Sequence, residues 1–416
     1  MSCRSIGLDG HKMNIVGGAY IEICQDPSWY QLFGSGVRAA AALSQSGREN
    51  ELNTYIHDAW RGTLEATAET FAFRLALRES PQTPQFDYRY PVATPSVWQS
   101  PDGYREVQDI VVEAEHILRF GMLEREAVVR GKRVTYDPQS ERFPKHFHAN
   151  GSTAEHLAIV ANEAEVVALT GTSDPRQAGE ALLQAPDCDV VVVKRGAHGA
   201  LVVTRDGVAV VPAFRTPRVW PIGSGDVFSA LFGHFWGELA MPPFEAALRA
   251  SRGTAQYCET QVLPIDISAL EEDNPATTPI TPSSEDAPQV YLAGPFFTLG
   301  ERWVIAEVRR SLGQQGVRVF SPLHDVGFGS AAEIGPKDLE GLRASQSVIA
   351  VLDGLDAGTV FEVGYARALG IPVVVWSERT TESDLVMMRG SGCVIIDDLS
   401  TAIYHAAWAA LESQGR

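Results

Sequence analysis

The stretch that most constrains this 416-residue chain is Ser347 to Trp376, because its pattern prescribes how two strands must be connected. An apolar run, Ser347-Val-Ile-Ala-Val-Leu352, ends at Asp353 and a glycine-containing turn. Phe361, Tyr365 and Leu369 then recur at helical spacing, Gly370-Ile-Pro372 stops the helix, and a second β-rich run reaches Trp376. Strand, loop, helix and strand in that order make a βαβ unit of a parallel sheet. Ligands of such sheets sit beyond the carboxyl ends of the strands, and that edge carries Asp353, Asp356 and Glu362. Thr359-Val-Phe-Glu362 also fits a capping box, with Thr and Glu satisfying the first amides of the helix. Chemistry therefore has to be argued from residues further upstream.

Those residues begin with Gln289-Val-Tyr291-Leu-Ala-Gly294-Pro-Phe296-Phe297, a strand running into a Gly-Pro turn. Glu301 to Leu312 follows as an amphipathic helix, Val317 to Phe320 as a strand, and Lys337 to Arg343 as a helix leading back to Ser347. Here the sequence resembles the nucleoside 2-deoxyribosyltransferase family, with its nucleotide N-hydrolase relatives, over about the last third of the chain. The resemblance rests on the order Tyr-Leu-Ala-Gly-Pro-Phe, Asp-Leu-x-Gly and Asp-x-Gly-Thr-x-x-Glu-x-Gly-Tyr-Ala. It implies a small flavodoxin-like or Rossmann-like parallel-sheet domain that needs no cofactor and pairs with copies of itself. It also implies Glu362 as nucleophile, Asp338 and Asp356 as substrate-binding and acid/base carboxylates, and Tyr291 beside the nucleophile. Gly294, Phe296 and Met387 would touch substrate. The transferases close over the sugar 5′ position with Asn-x-Met, whereas Leu385-Val-Met387 keeps only the Met. That leaves room for another 5′ group, such as a phosphate met by Arg302 or Arg389.

N-glycosidic cleavage passes through an oxocarbenium-like transition state, so a carboxylate can trap the anomeric carbon while an acid protonates the departing base. Glu362, near a helix start, is expected to be held ionised, and crowding is expected to raise the apparent pKa of one neighbouring aspartate. Which aspartate carries the proton is left open by the sequence.

A chain of this length exceeds one ordinary domain, and its 45% apolar content is ample for buried cores. The net charge of −18 argues against nucleic acid or anionic membrane as partner, both of which reward clustered Lys and Arg. The five cysteines, Cys3, Cys24, Cys188, Cys258 and Cys393, are scattered without C-x-x-C spacing, which fits a reduced, cytoplasmic setting. No signal-peptide core or membrane-length apolar run is present, and the lone pair His146 and His148 reads as surface histidines. Between the halves, 271–288 is rich in Pro, Thr, Ser and acidic residues and reads as a semi-extended tether. It would separate a domain over 1–270 from one over 289–416.

The first domain reads as a second α/β unit. Asn14 to Ile23 is expected to be a strand carrying a glycine pair, and Gly34 to Leu43 a helix after a glycine turn. Ser80 to Gly103 holds five prolines and suggests an irregular excursion or lid. Asp109 to Leu118 and Arg133 to Asp137 read as strands, Ala154 to Ala161 as a helix, and Val190 to Val193 as a buried strand with Gly199 to Thr204 as its hairpin partner. Pro221-Ile-Gly223-Ser224-Gly225-Asp226 then feeds an amphipathic helix, and no Walker or dinucleotide glycine motif occurs.

With Asp137-Pro, Asn162-x-x-Glu165, Val193-Lys-Arg-Gly196-Ala-His-Gly199 and Gly223-Ser-Gly-Asp226, this half resembles the ribokinase-like carbohydrate and nucleoside kinases. The resemblance implies a ribokinase-like α/β sandwich using ATP and Mg²⁺. Gly223, Ser224 and Gly225 would form the anion hole, and Asp226 would be the base taking a hydroxyl proton. Asn162 and Glu165 would organise the magnesium through water, with Glu22, Gly34 and Gly36 lining the sugar site. Amides at a helix N-terminus face an anion, and a positioned carboxylate can accept the proton during transfer. Two departures stand out: Trp220-Pro-Ile222 precedes the glycine turn, and Gly34-Ser-Gly-Val-Arg38 replaces a Gly-Gly and Asn pattern.

Together these features indicate a two-headed enzyme acting on small nucleosides, nucleotides or sugars. The alternative is a nucleotide-sensing kinase-like domain that regulates a nucleotide-depleting glycosidase.

Overall fold

The computed structural model describes residues 12–99, 107–140, 143–270, 278–284 and 286–413. The amino terminus with Cys3, the end of the proline-rich excursion around Gly103, positions 271–277 and 285 of the tether, and Gln414 lie outside the described residues. The chain divides into two compact units. The first takes in the described residues of Met1–Lys194, Gly199–Val211 and Pro221–Ala276, the second those of Arg195–His198, Pro212–Trp220 and Thr277–Arg416. Among the described residues no helix is long and apolar enough to cross a membrane.

The strands of the first unit are β1 (Met13–Val16), β2 (Tyr20–Cys24), β3 (Trp29–Phe33), β4 (Asn50–Ile56), β5 (Arg74–Glu79), β6 (Gln85–Tyr88), β7 (Ser96–Trp98), β8 (Val111–Phe120), β9 (Val128–Asp137), β10 (Thr153–Asn162), β11 (Cys188–Lys194), β12 (Ala200–Thr204) and β13 (Gly207–Val211). Its helices are α1 (Gly34–Ala42), α2 (Asp58–Thr70), α3 (Glu163–Thr170), α4 (Pro175–Leu182), α5 (Ser224–Phe232) and α6 (Pro243–Thr260). One nine-stranded sheet runs in the order β13-β12-β11-β10-β9-β8-β1-β4-β5. It is parallel from β11 to β5 and antiparallel at β12 and β13. A second sheet, β3-β2-β6-β7, takes in the proline-rich excursion.

Two expectations are corrected. Ala154 to Ala161 is strand, not helix: Leu157-Ala-Ile-Val-Ala161 is buried at every position between β9 and β11, and a run apolar on all sides carries no period to tell strand from helix. Asn14 to Ile23 is two strands, because Gly17-Gly18 breaks it. A Cβ on Gly17 would lie 2.8 Å from Gly36 Cα, so the start of α1 packs against bare backbone there and the chain crosses from one sheet to the other.

The second unit holds β14 (Phe214–Arg215) paired with β15 (Thr278–Pro279), then β16 (Gln289–Ala293), β17 (Arg318–Phe320), β18 (Ser347–Val351), β19 (Val373–Trp376) and β20 (Val394–Ile396). Helices α7 (Leu299–Gln314), α8 (Ala331–Arg343), α9 (Ala357–Ala368), α10 (Val386–Gly390) and α11 (Leu399–Glu412) complete it. The five-stranded sheet, β17-β16-β18-β19-β20, is parallel throughout. Counted along its own strands this is the doubly wound order 2-1-3-4-5, which places the ligand crevice where the winding reverses, beyond the carboxyl ends of β16 and β18. Tyr291, Ala293, Val348, Ala350 and Leu352 share one core cluster with Leu342 of α8 and Val363 and Ala366 of α9. Since side chains alternate along a strand, Tyr291 is turned to the face on which α9 lies.

Candidate functional site

At the reversal point of the second unit, the buried ring of Tyr291 stacks on Phe320, centroids 5.5 Å apart and planes within 15°. Phe320 in turn lies against Gly341 of α8, where a Cβ would sit 2.3 Å from the ring. Thus aligned, Tyr291 donates a hydrogen bond from its hydroxyl to Glu362 Oε1 at 2.6 Å. Glu362 is not committed to its own helix end, which corrects the capping-box expectation. The N-cap of α9 is Asp356, whose Oδ2 accepts from the amide of Thr359 at 2.8 Å and from its hydroxyl at 2.9 Å. Glu362 falls in the second turn, too far along to reach back to that cap.

The ionisation pattern also differs from expectation. Burial pushes the Glu362 carboxyl up to about 7; the Tyr291 hydrogen bond opposes the shift, and the charges of Asp338 and Asp356 add to it. Past the first turn the helix dipole no longer offsets this, so the largest push falls on Glu362 itself. Burial raises Asp338 as well, and its Oδ1 is a buried atom without a hydrogen-bond partner. Asp353, the other carboxylate at this edge, is taken up in holding the loop after β19. It accepts from Ser377 Oγ at 2.7 Å and from the amides of Glu378 and Arg379.

Tyr291, Asp338, Asp356 and Glu362 are therefore brought together. Gly294 and Phe296 lie on the turn leaving β16, packed on the protein itself. A Cβ on Gly294 would be 2.6 Å from Ile305 Cδ1, and Phe296 stacks on Phe297 and meets Phe328 edge-on. Met387 is 76% exposed on α10. Arg302 donates to the Phe296 carbonyl and lies over Phe328, while Arg389 pairs with Glu382, so both are engaged locally. Phe320 and the bearing on Gly341 were not singled out from the sequence. The available signal was a glycine inside a helical pattern, which usually marks close packing.

In the first unit, α5 opens at Gly223, which has φ 77° and no side-chain cap; the Ser224 amide turns back to the Pro221 carbonyl at 3.0 Å, which leaves the amides of Gly225 and Asp226 to face an anion. Asp226, in the first turn, has both oxygens engaged: Oδ2 accepts from Arg38 Nη1 at 2.8 Å and Oδ1 from Gln139 Nε2 at 2.6 Å. Arg38 of α1 also grips both carboxylate oxygens of Glu22, and its Nε donates to Tyr257 Oη at 3.2 Å. Burial opposes the charge on Arg38, but Glu22, Tyr257 and Asp226 outweigh it and hold the guanidinium well above its ordinary pKa. Gly34 donates its amide to Glu22 Oε1 at 3.1 Å, and Gly36 meets the Gly17 carbonyl, 2.6 Å from where its Cβ would be.

Asn162 and Glu165 form a reciprocal capping box on α3, each accepting from the other's amide at 2.8 Å. Lys194 Nζ bonds Asp137 Oδ2 at 2.6 Å and lies 3.5 Å from the Cβ position of Gly225. The uncapped glycine turn beside the Lys194 cation suits a polyphosphate. Asn162 and Glu165 are partly spent on capping, and among the described residues no group of three or more His, Cys, Asp or Glu is placed to hold a metal ion. Arg38, Gln139, Lys194 and Tyr257 were not assigned functional roles from sequence.

Two family models match the chain. Residues 132–265 match the family model of pfkB family carbohydrate kinases, and residues 290–399 that of nucleoside 2-deoxyribosyltransferases. Deoxyribokinases of Salmonella typhi and Salmonella typhimurium are each 38% identical over 82 residues, 19% of this chain and 27% of theirs. The match thus spans about a quarter of the length of these curated relatives. The solved aminoimidazole riboside kinase of Salmonella enterica, complexed with aminoimidazole riboside and an ATP analogue, is 15% identical. The match covers 63% of this chain and all of that one at a TM-score of 0.50, a likeness of fold. The chain therefore joins a ribokinase-like α/β region, matching the pfkB carbohydrate kinases, to a smaller all-parallel region matching the nucleoside 2-deoxyribosyltransferases.

Proposed function

We propose that the second unit breaks or exchanges the N-glycosidic bond of a nucleoside or nucleotide, with Glu362 as nucleophile. The observation that carries this is the 2.6 Å hydrogen bond from Tyr291 to a half-buried Glu362 whose carboxyl is raised to about 7. Ionised, Glu362 attacks the anomeric carbon as the bond to the base nitrogen breaks. An aspartate of the pair Asp338 and Asp356 delivers a proton to the departing base, and water or a second base then displaces Glu362. Asp338, raised by burial, fits the donor, while Asp356 is tied to its helix end. Exposed Phe297, Phe361 and Met387 support pairing with further copies through this unit.

The first unit, on this proposal, is of the ATP-dependent kinase type. Nucleotide phosphates meet the amides of Gly225 and Asp226, Asn162 and Glu165 orient the magnesium waters, and Asp226 takes the proton of a sugar or nucleoside hydroxyl once its oxygens are released. Either unit can act first, the kinase supplying a nucleotide or the glycosidase a free sugar. A second reading, nucleotide sensing that governs the glycosidase, is favoured by one observation: Asp226 has both oxygens occupied.

The test is chromatography of products from a mixture of nucleosides and nucleoside monophosphates, with and without ATP. Glu362→Ala is expected to abolish release of free base in a folded protein, and persistence of that release refutes the nucleophile. Substrate-dependent ADP formation that Asp226→Asn removes supports the kinase half.

A further inference from the structure

We infer that Arg38 is a built-in latch on the acceptor side of the first unit, holding the place that a hydroxyl acceptor must take. The inference rests on the proposal that 223–226 is a phosphoryl-transfer site, and it adds what controls that site.

A hydroxyl that is to lose its proton to Asp226 must come within hydrogen-bond reach of a carboxylate oxygen, on the side where the phosphoryl group meets the glycine turn. The guanidinium of Arg38 occupies that side. Its Nη1 is 2.8 Å from Asp226 Oδ2, and a Cβ on Gly223 would fall 2.1 Å from its Nε, so it lies directly over the first glycine of the turn. Nor is it a loose side chain. Only 2% of it is exposed, both oxygens of Glu22 hold it from behind, Tyr257 Oη holds Nε, and the Phe33 ring lies 5.2 Å below. Tyr257 is fixed in turn by its bond to the Ile222 carbonyl at 2.9 Å.

One cation thus bridges the two carboxylates an acceptor would need, Glu22 to orient it and Asp226 to deprotonate it. The phosphate side differs: the α5 amides carry no side-chain cap, and Lys194 stands beside Gly225. The unit is consequently arranged to take a nucleotide while its acceptor side is closed, and transfer requires Arg38 to leave.

The test uses the full chain as wild type, Arg38→Asn, Glu22→Gln, and Arg38→Asn combined with Asp226→Asn. Binding of a non-hydrolysable ATP analogue with Mg²⁺ is measured by calorimetry. ADP formation from ATP is measured with water alone and with a pool of pentoses and nucleosides. The latch predicts that wild type binds the analogue and forms ADP slowly, limited by the departure of Arg38. Opening the site by Arg38→Asn should raise ADP formation at least about tenfold, since both water and the pool then reach Asp226, and the added Asp226→Asn should remove the gain. Glu22→Gln, which loosens the anchor without removing the side chain, should give a smaller gain and keeps the test decisive should Arg38→Asn fail to fold by circular dichroism. Equal or lower ADP formation in folded latch variants that still bind the analogue would overturn the inference. If no variant binds the analogue, the phosphoryl-transfer proposal itself fails.

Discussion

Replacing Tyr291 by Phe removes one hydroxyl and leaves the ring stacked on Phe320, so its effect should be confined to the proton on Glu362. That hydroxyl donates at 2.6 Å and lowers the carboxyl pKa against burial and the charges of Asp338 and Asp356. A hydrogen bond to a charged group contributes about 1.5–3 kcal/mol, which at 1.36 kcal/mol per unit corresponds to roughly one to two pKa units. Loss of the donor therefore moves the carboxyl from about 7 to a value roughly one to two units higher. If ionised Glu362 is the nucleophile, base release by wild type rises with pH through a midpoint belonging to the coupled cluster and falls again where the aspartate donor has lost its proton. At neutral pH the ionised fraction falls from about a half to between roughly a tenth and a hundredth in Tyr291→Phe, a loss of about five- to fifty-fold relative to wild type that shrinks as pH rises. Initial rates of base release, followed chromatographically from about pH 5.5 to about pH 9.5 at constant ionic strength, measure both midpoints. A wild-type rate flat through neutrality, or a variant slowed equally at every pH, refutes this account of Glu362.

The same shift makes a claim about stability. Because folding raises the Glu362 pKa from its ordinary 4.5 to about 7, the folded state binds the extra proton between those values. Stability contributed by the neutral form is therefore full below the lower value, is lost as pH rises to the upper one, and then levels off. Glu362→Gln should accordingly stabilise the second unit at alkaline pH by up to about 3 kcal/mol and very little in acid, read from denaturant midpoints at the two pH values. Asp356→Asn keeps a cap for α9 but removes a charge that raises Glu362, so the pH midpoint of base release should drop with little change in stability. Asp356→Ala should add a loss of about 1 kcal/mol in thermal or denaturant unfolding. Gly341→Ala forces a methyl to within 2.3 Å of the Phe320 ring, so about 1–3 kcal/mol should be lost, together with activity, as Phe320 is pushed against Tyr291.

Much of the second unit was legible because its chemistry is written at short range. Strand ends, a Gly-Pro turn and helical spacing place Tyr291 and Glu362 at one sheet edge, and they meet although 71 positions separate them. What the pattern could not tell was which of several acidic residues does what. Thr359 and Glu362 have the spacing of a capping box, yet the helix starts at Ala357 and Asp356 caps it, because a cap is decided by where the backbone turns. The Ala154 to Ala161 run has the look of a helix in the sequence and is strand in the structure, since a strand buried on both faces shows no alternation. The network of Glu22, Arg38 and Asp226 lay beyond reach for another reason. Arg38 and Asp226 are 188 positions apart, and only the packing of α1 against α5 brings them into contact.

The winding of the second unit keeps its scaffold and its ligand-facing margin apart. Registers such as Val290 with Ser347 and Val348 with Val373 involve nothing beyond the strand ends, so the margin can be rewritten without disturbing them. The segment from Glu378 to Met387 is the natural place to graft: it leaves the end of β19, is stapled at its root by Asp353, and ends on a helix with outward-facing Val386 and Met387. Exchanging that one segment would leave the Tyr291 and Glu362 pair unaltered.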